Sequence, residues 1–520
     1  MSAHLLPDSL SAESQDFHDL YEVETQSQRQ SLLEWALQQI YSLQQRLLSI
    51  GHRDGIHYQP LVPGLAQVRY YRRHFFRLCY YIFVVLSVAF LLVTFTSFLF
   101  PSYTRLPPHY ASLYGQVLKS NHAGRGNSRN EKVFIAASLY DPSGELARGH
   151  WATSVLQLIN LLGEANAFLS VYENDSGDEG KSALAELETQ VPCNKTIIYE
   201  HLNLDGIPKI TVPGGDERVK RIAYLAETRN RALQPLDSSP MRFDKILYLN
   251  DVAFDPVDAL QLLFSTNVDD HGVPQYRAAC AVDFINPFKF YDTYATRDLE
   301  GYSMGLPFYP WFSSSGNAQS RKDVRSGNDA VPVRSCWGGM VAFDAQFFQK
   351  HTEAGAETLP EIAGGSLSAR FRALKDGDLF WDASECCLIH ADIQKPRHES
   401  TDAESVETGI YLNPFVRVAY DTYTLSWLWT TRRFEKLYTI VHTVGNNLVG
   451  LPWFNPRRGE IPGQSFQDTV YTIDVKGMGL KQTIQRIATH DGFCGRPGLQ
   501  VVVPDRQGGK KRLESIPMPD

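Results

Sequence analysis

The stretch FDKILYLNDVAFDP, from Phe243 to Pro256, decides the fold of this chain. Its apolar run KILYL has the length and composition of a buried strand, and the run stops abruptly at Asn250 and Asp251. A carboxylate directly after a buried strand either caps the next turn or binds a ligand such as a divalent cation. Spacing alone leaves both alternatives open, because Asp255-Pro256 is a typical helix start in the same loop.

Similar short apolar runs lie on both sides of this stretch and alternate with helical patterns. The strand-like runs are EKVFIAASLY, ANAFLSVYEND, NKTIIYE, RAACAVDF and GGMVAFD, and the helical patterns are WATSVLQLINLLG and ERVKRIAYLAETRNRAL. This alternation predicts an α/β fold with a doubly wound, mainly parallel sheet. Ligands of such sheets bind outside the carboxyl ends of the strands, where Asn250 and Asp251 are expected to lie.

A single stretch is long and apolar enough to cross a bilayer. LCYYIFVVLSVAFLLVTFTSFLF, from Leu78 to Phe100, contains no charged residue and lies too far into the chain for an ordinary cleaved signal peptide. We therefore expect one transmembrane helix that is retained as a signal anchor. Basic residues favour the cytosolic side, so a type II topology with a luminal C-terminal part follows from the four preceding arginines, Arg69, Arg72, Arg73 and Arg77.

Composition divides the rest of the chain. We expect a cytosolic tail over 1–77 with an amphipathic helix in Gln30–Gly51, a Pro- and Gly-rich stem over 101–130, a luminal domain over 131–455, and a partly disordered extension over 456–520. The 50 basic and 58 acidic residues give a net charge of −8, which argues against nucleic acid as a partner.

Polar residues at other element ends suggest a phosphate-bearing ligand. Glu173 and Asp175 follow the run AFLSVY, where carboxylates can accept hydrogen bonds from a ribose hydroxyl or a base N–H, although a solvated acidic turn is an alternative. In the segment AETRNRAL a guanidinium could neutralise a diphosphate. Arg231 is spaced for an ordinary pair with Glu227, so Arg229 is the better candidate.

Two later stretches contain further candidates. Trp337-Gly338 precedes an apolar strand and could stack a sugar on the indole, although core packing is the ordinary reason for such a tryptophan. In FWDASECCLIHADI, Asp382, Glu385 and His390 form a carboxylate and imidazole group, and His390 could complete a metal shell.

Seven segments taken together resemble the fungal α-1,3-mannosyltransferase family associated with cryptococcal capsule synthesis, glycosyltransferase family 69. The segments occur in the family's order and span roughly Val133 to Tyr423: SVYENDSGD, AETRNRAL, LYLNDVAFDP, AACAVDFINPFKFYDT, SCWGGMVAFDA, SECCLIHADI and NPFVRVAYD. The resemblance implies a Golgi type II enzyme with a GT-A-like fold. It further implies GDP-mannose as donor, a mannose-containing glycan as acceptor, a divalent cation, manganese, as cofactor, and retention at the anomeric carbon.

The resemblance also implies roles for individual residues. Asn250-Asp251-Val252 resembles the Asp-x-Asp metal motif of GT-A enzymes but retains one carboxylate, so metal binding is expected to depend on Asp251, the donor diphosphate and His390. On the donor side, the residues that resemble family contacts are Glu173, Asp175, Arg229, Asn230 and Asn250.

Glu385 is the first candidate for a carboxylate near the reacting sugar, and Asp382 is the second. Trp337 and Gly338 fall where an acceptor would bind, with a glycine where relatives often have an asparagine.

Two other functions remain open from the sequence. A non-catalytic family member could bind glycans or scaffold a complex of Golgi glycosyltransferases, and the loss of one carboxylate from the metal motif favours this alternative. A membrane-anchored glycoside hydrolase would need two suitably separated carboxylates, which an acidic chain can supply, but it would have no use for a phosphate site.

Overall fold

The computed structural model describes residues 63–349, 362–363, 368–374, 377–395, 407–473, 479–504 and 511–518. The predicted amphipathic helix in Gln30–Gly51 lies outside the described residues. The chain divides into two units, Met1–Leu99 and Phe100–Asp520.

The first unit contains one long helix, α1 (Pro63–Leu99). Its part from Arg73 to Leu99 is long and apolar enough to cross a membrane, and none of that part is buried within the protein. The predicted apolar helix is therefore confirmed, with its end at Leu99 and not at Phe100.

The second unit is built on a ten-stranded sheet with the strand order β3-β2-β1-β6-β11-β7-β13-β10-β9, and β8 pairs with β7. Strands β1, β2, β3 and β6 are parallel, β11 is antiparallel to β6 and β7, and β7 is parallel to β13. The predicted mainly parallel sheet is confirmed. Its strands are β1 (Val133–Leu139), β2 (Ala167–Asn174), β3 (Asn194–Glu200), β6 (Lys245–Leu249), β7 (Ala278–Asn286), β8 (Lys289–Phe290), β9 (Arg297–Asp298), β10 (Val331–Ser335), β11 (Met340–Asp344) and β13 (Ile410–Ala419).

Helices cover both faces of this sheet. Alternate residues of each central strand enter opposite apolar clusters, as Ile246 and Leu247 of β6 do. Since both faces are buried, the strands have continuous apolar sequences instead of alternating ones. The helices are α2 (Pro108–Lys119), α3 (Glu145–Arg148), α4 (His150–Leu162), α5 (Gly177–Gln190), α6 (Arg221–Leu233), α7 (Pro256–Phe264), α8 (Gln319–Ser326), α9 (Glu385–Ile393), α10 (Thr422–Thr431) and α11 (Tyr438–Val449).

The predicted stem over 101–130 is folded, so that prediction is wrong. Tyr110 on α2 is 1% exposed; its hydroxyl accepts a hydrogen bond from Asn413 at 2.6 Å, and its carbonyl accepts one from Gln261 at 2.9 Å. Tyr103 is also buried. The prolines and glycines suggested a spacer, but buried tyrosines lie among them. Each tyrosine buries a large apolar area, which is enough to attach the segment to the domain despite its polar composition.

The predicted C-terminal extension is also part of the folded unit where it is described. Strand β17 pairs with β5 and β16 pairs with β12, while β14 and β15 form a hairpin. The sequence loses its periodicity here because the strands belong to small, partly exposed sheets. The strands are β4 (Lys209–Thr211), β5 (Glu217–Lys220), β12 (Trp381–Asp382), β14 (Ser465–Ile473), β15 (Gly479–Ile487), β16 (Arg496–Pro497), β17 (Gln500–Pro504) and β18 (Lys511–Ser515).

Two disulfides, whose pairing the sequence left open, join distant parts of this unit. Cys280 of β7 bonds to Cys336 beside β10, and Cys387 of α9 bonds to Cys494 in the C-terminal part. Disulfides persist mainly in oxidising compartments, so this pairing is consistent with a luminal domain.

Candidate active site

The candidate site lies where β6 ends, at the carboxyl edge of the parallel strands. Asn250 is fixed there by its backbone, because its N–H donates to the Gly339 carbonyl and its carbonyl accepts from the Trp151 indole, both at 2.9 Å. Asp251 is partly exposed beyond it. Asp255, not Asp251, caps α7: its carboxylate accepts from the Val257 N–H at 2.8 Å. Asp251 therefore does not cap α7.

Two glycines just before β11 allow the chain to approach Asn250, at the end of β6, closely. Gly338 and Gly339 have φ angles of 62° and 66°, and a Cβ on Gly338 would lie 1.9 Å from the Ala281 carbonyl oxygen. The turn therefore requires glycine at position 338. Trp337 is buried and its indole donates to Asn250 Oδ1 at 3.2 Å, so in this structure it has the packing role that was the alternative to sugar stacking.

Arg229 connects the elements that meet at the site. Its Nε donates to Glu385 Oε1 at 2.9 Å and its Nη1 to Asn250 Oδ1 at 3.2 Å. The guanidinium carbon lies 4.5 Å from the Trp337 ring centroid and 5.4 Å from that of Tyr248. Such a buried, aromatic-lined guanidinium fixes the positions of Glu385 and Asn250 relative to each other.

The two neighbours of Arg229 on α6 are placed differently. Asn230 exchanges two 2.9 Å hydrogen bonds with the backbone of Phe371, so its amide has a structural role in this conformation, and its contact with a donor stays a prediction. Arg231 donates to Glu227 at 2.7 Å, which is the i,i+4 pair expected from the sequence.

The two predicted catalytic carboxylates lie near each other. Asp382 ends β12, and Glu385 begins α9 three residues later, after Ser384 caps the helix. Both are almost fully buried. Burial raises the pKa of Asp382 to about 6, although Lys220, whose Nζ is 3.9 Å away, acts in the opposite direction.

Three further polar residues belong to the site and were missed by the sequence analysis. Asp283, near the end of β7, accepts hydrogen bonds at 3.1 Å from the Tyr420 hydroxyl and from the Asp292 N–H. Burial raises the pKa of Asp283, and the Asp292 charge raises it further. The Asp251 charge is near enough to contribute to the raised pKa of Tyr420, and the charges of Glu385 and Arg229 act on Asp292. In the sequence Asp283 follows the apolar run AACAV, as Asn250 and Asp251 follow KILYL, and that shared pattern was the available signal.

A second polar group lies at the end of β2. Glu173 is 1% exposed, and neither of its carboxylate oxygens accepts a well-formed hydrogen bond from the described residues. Burial, with the Asp141 charge, raises its pKa to about 8, and nearby backbone N–H groups offset only part of this. Asp175 has a φ of 68° and binds His201 and Asn174 with its carboxylate. The two buried Glu173 oxygens are therefore suited to accept hydrogen bonds from the N–H or O–H groups of a ligand.

Glu173 also predicts a pH dependence of stability. Its folded-state pKa is about 8 against a reference of 4.5, so folding favours the protonated form. This contribution to stability is fully present below about pH 4.5 and is lost as the pH rises through 8. We expect Glu173→Gln to lose less unfolding free energy than the parent between pH 5 and 8.5 in urea titrations. Glu188→Gln, at an exposed site on α5, is the matched control; equal pH slopes for all three proteins would contradict the assignment.

His390 does not lie where the sequence analysis put it. Its Nδ1 is 2.7 Å from the Cys386 carbonyl, its Nε2 faces Cys280 Sγ at 3.8 Å, and burial lowers its pKa to about 4. Cys280 is level with Tyr248, since both pair with Val341. Asp251 is three residues beyond that level, roughly 10 Å at the usual strand rise.

The expectation that His390 shares an ion with Asp251 is therefore corrected. The reason is helical geometry: Glu385 is the first residue of α9, and His390 is carried about 7.5 Å deeper at 1.5 Å per residue. Cys280, Cys336 and His390 also cluster, but the disulfide removes both thiolates, so this cluster offers no zinc site.

The donor set fits a divalent cation that is held jointly with a substrate. Asp251 offers a partly exposed carboxylate, whereas the Asn250 side-chain oxygen already accepts from both Arg229 and Trp337. Hard cations such as Mg²⁺ are commonly bound through one or two carboxylates plus substrate phosphates. The residues present match that mode and not an all-protein cage.

One comparison with known proteins, the match to a family model, indicates a transferase. The sequence model of a family described as cryptococcal mannosyltransferase 1 matches residues 132–392, which include every residue named at this site except Tyr420. No curated protein matches the chain. Among solved structures, mannosyl-3-phosphoglycerate synthase from Rubrobacter xylanophilus is similar at 14% identity and a TM-score of 0.27, over 76% of this chain and 95% of that one.

Proposed function

Because the chain belongs to the cryptococcal mannosyltransferase 1 family, we propose that it transfers mannose from GDP-mannose to a mannose-containing glycan, forming an α-1,3 linkage with retention. The observation that carries the proposal lies within the matched residues: at the carboxyl end of β6, Asn250 binds the Arg229–Glu385 pair and is followed directly by the Asp251 carboxylate. Glycosyl transfer follows from the family, and the donor, linkage and stereochemistry are the proposed parts.

The two strand ends would bind the two ends of the donor. Glu173 and Asp175, at the end of β2, would accept hydrogen bonds from the nucleoside. Asp251 would hold the divalent cation together with the diphosphate, and a bound Mn²⁺ supplies charge neutralisation of the leaving diphosphate. Arg229, which already fixes Asn250 beside Asp251, would offset the Glu385 charge on that side of the site and so reduce its repulsion of the diphosphate.

Glu385 would be the carboxylate nearest the reacting sugar, where a negative charge stabilises an oxocarbenium-like transition state. The Arg229 bond holds it in one orientation, and the closely placed Asp382 carboxyl has a raised pKa that suits an exchangeable proton. Asp292, which is partly exposed and whose pKa is raised by the Glu385 charge, would restrict the position of that carboxylate by repulsion.

Location in the Golgi membrane, with a luminal catalytic domain, completes the proposal. The helix from Arg73 to Leu99 is long enough for an anchor, the arginines before it favour a cytosolic N-terminus, and the two disulfides suit an oxidising lumen.

One observation favours a second function. The motif Asn250-Asp251-Val252 has one carboxylate, and the Asn250 amide oxygen is already occupied by two donors. A member that binds glycans or scaffolds other Golgi glycosyltransferases without catalysis would tolerate such a loss.

Donor binding and turnover distinguish these functions. We expect the purified protein to bind GDP-mannose more tightly with Mn²⁺ than with EDTA, measured by calorimetry, and to release GDP when an α-mannoside acceptor is added. UDP-glucose is the control donor and should show no binding at the same concentration. Acceptor binding without any metal-dependent donor binding would favour the scaffold function instead.

A further inference from the structure

Helix α11 buries polar side chains and exposes apolar ones, the reverse of the arrangement expected for a helix at a water-exposed surface. It contains no charged residue, and its polar His442 and Asn446 are buried against the domain. Its apolar Ile440, Val444 and Leu448 are 73%, 56% and 79% exposed. An amphipathic helix at a protein–water boundary has the opposite arrangement.

Specific hydrogen bonds fix this orientation. His442 Nδ1 lies 2.8 Å from Arg321 Nη1, and His442 Nε2 lies 3.1 Å from the Leu306 carbonyl. Asn446 Oδ1 accepts from the Leu306 N–H at 2.8 Å. Turning the apolar side inward would break these bonds and bury polar groups without partners, so the outward apolar side is a built feature.

The exposed apolar residues continue on both sides of α11. Helix α10, before it, also lacks charged residues and exposes aromatic side chains, and two more aromatic residues follow α11. We name this set the apolar face: Tyr423, Trp427, Trp429, Ile440, Val441, Val444, Leu448, Val449, Trp453 and Phe454. Exposed sets of this kind mark interaction sites.

Chain connectivity indicates what covers the apolar face. The Ser102 N–H donates to the Arg432 carbonyl at 2.9 Å and its hydroxyl binds Glu435, so Ser102 is fixed at the turn between α10 and α11. Leu99, the last residue of the membrane-span candidate, precedes Ser102 by three residues. A chain of that length spans at most about 11 Å. If Leu99 is at the membrane surface, the α10–α11 turn is held close to the same surface.

We propose that the apolar face docks into the headgroup and acyl boundary of the bilayer that α1 crosses. Tryptophan and tyrosine are favoured at that boundary, and aliphatic side chains such as Leu448 can enter the acyl region. Arg433, stacked 5.3 Å over Trp429, and Lys436 provide positive charge beside the face. Since neither α10 nor α11 contains a charged residue, we expect zwitterionic lipid to be sufficient for docking. The inference rests on the proposed membrane anchoring by α1.

The test uses the chain from Phe100 on, because among the described residues the hydrophobic clusters contain only those from Tyr103 onward and this part is a compact unit. We expect it to float with phosphatidylcholine vesicles in a density gradient, with little change between 50 and 500 mM salt. Val444→Glu combined with Leu448→Glu should lower the partition coefficient at least tenfold, since each buried aliphatic side chain is worth about tenfold or more. Leu480→Glu, at a half-exposed leucine on the β14–β15 hairpin, is the matched control and should float like the parent.

Two results would overturn this proposal. One is failure of the folded parent to float, and the other is equal flotation of the parent and the α11 variant. If the parent instead forms dimers in the absence of lipid and the α11 variant is monomeric, the face is an interface between copies and the membrane assignment is wrong. GDP-mannose binding is measured on the same samples, so a failure of docking stays separate from a failure of the proposed function.

Discussion

Asp251→Asn should lower the rate of mannosyl transfer by at least about 100-fold, the usual cost of removing one preorganised electrostatic contact from an active site. The side chain keeps its size and loses only its charge, so the change acts on cation and diphosphate binding. Steady-state transfer of mannose from GDP-mannose at fixed Mn²⁺, together with calorimetric donor binding, measures this loss.

A carboxylate in the same loop provides the control. Asp255 caps α7 through the Val257 N–H, and asparagine caps helices about as well as aspartate. Asp255→Asn should therefore keep the activity, the metal dependence and the melting temperature of the parent. It carries the same change of charge four residues from Asp251, so a general electrostatic effect would appear in both variants.

The Mn²⁺ titration of each variant separates metal binding from other roles of Asp251. If Asp251→Asn stays active and half-saturates at the same Mn²⁺ concentration as the parent, Asp251 does not hold the cation. The buried Asp283 and the partly exposed Asp292 would then be the next candidates for that role.

The strand ends that hold the predicted residues could be located because that reasoning depends on local sequence, and the roles of the residues stay predictions. A buried apolar run followed by a polar residue predicts both a strand and its functional end, and β6 with Asn250 and Asp251 follows that rule. Glu173, at the end of β2, was found in the same way. These predictions need strand direction but no knowledge of strand order.

The missed residues depend on strand order, which the sequence does not contain. Asp283 also lies near a strand end, but its role follows from the position of β7, one strand away from β6 across the antiparallel β11. Asp292 comes to the site through the loop after β8. Non-local pairing of this kind cannot be predicted from the local pattern of any one segment.

Two segments whose composition is typical of linkers and tails contain folded parts, because long-range contacts attach them to the domain. Residues 101–130 have the prolines and glycines of a linker, but Tyr103 and Tyr110 are buried in the main apolar cluster. The C-terminal part has no regular period, yet the Cys387–Cys494 disulfide and the pairing of β17 with β5 attach it to the domain. A few long-range contacts suffice to order such segments.

Arg229→Met should destabilise the domain by about 3–5 kcal/mol, the usual cost of leaving one partner of a buried ion pair uncompensated. Glu385 would remain buried near Asp292 and Asp382 without its 2.9 Å bond, and Asn250 would lose one of its two donors. Methionine approximates the length of arginine, which limits the cavity. Arg231→Met on the same helix removes a pair that is more than a third exposed, and it should cost no more than about 0.5 kcal/mol. Urea unfolding monitored by tryptophan fluorescence measures both variants.

The double variant Arg229→Met with Glu385→Gln separates structure from catalysis. Removing the charge of Glu385 should recover part of the stability lost in Arg229→Met, because no unpaired buried charge then remains. If Glu385 acts on the reacting sugar, the double variant is stable enough to bind GDP-mannose and still fails to transfer mannose. If transfer recovers together with stability, the pair only stabilises the fold, and the catalytic carboxylate must be sought at Asp382 or Asp292.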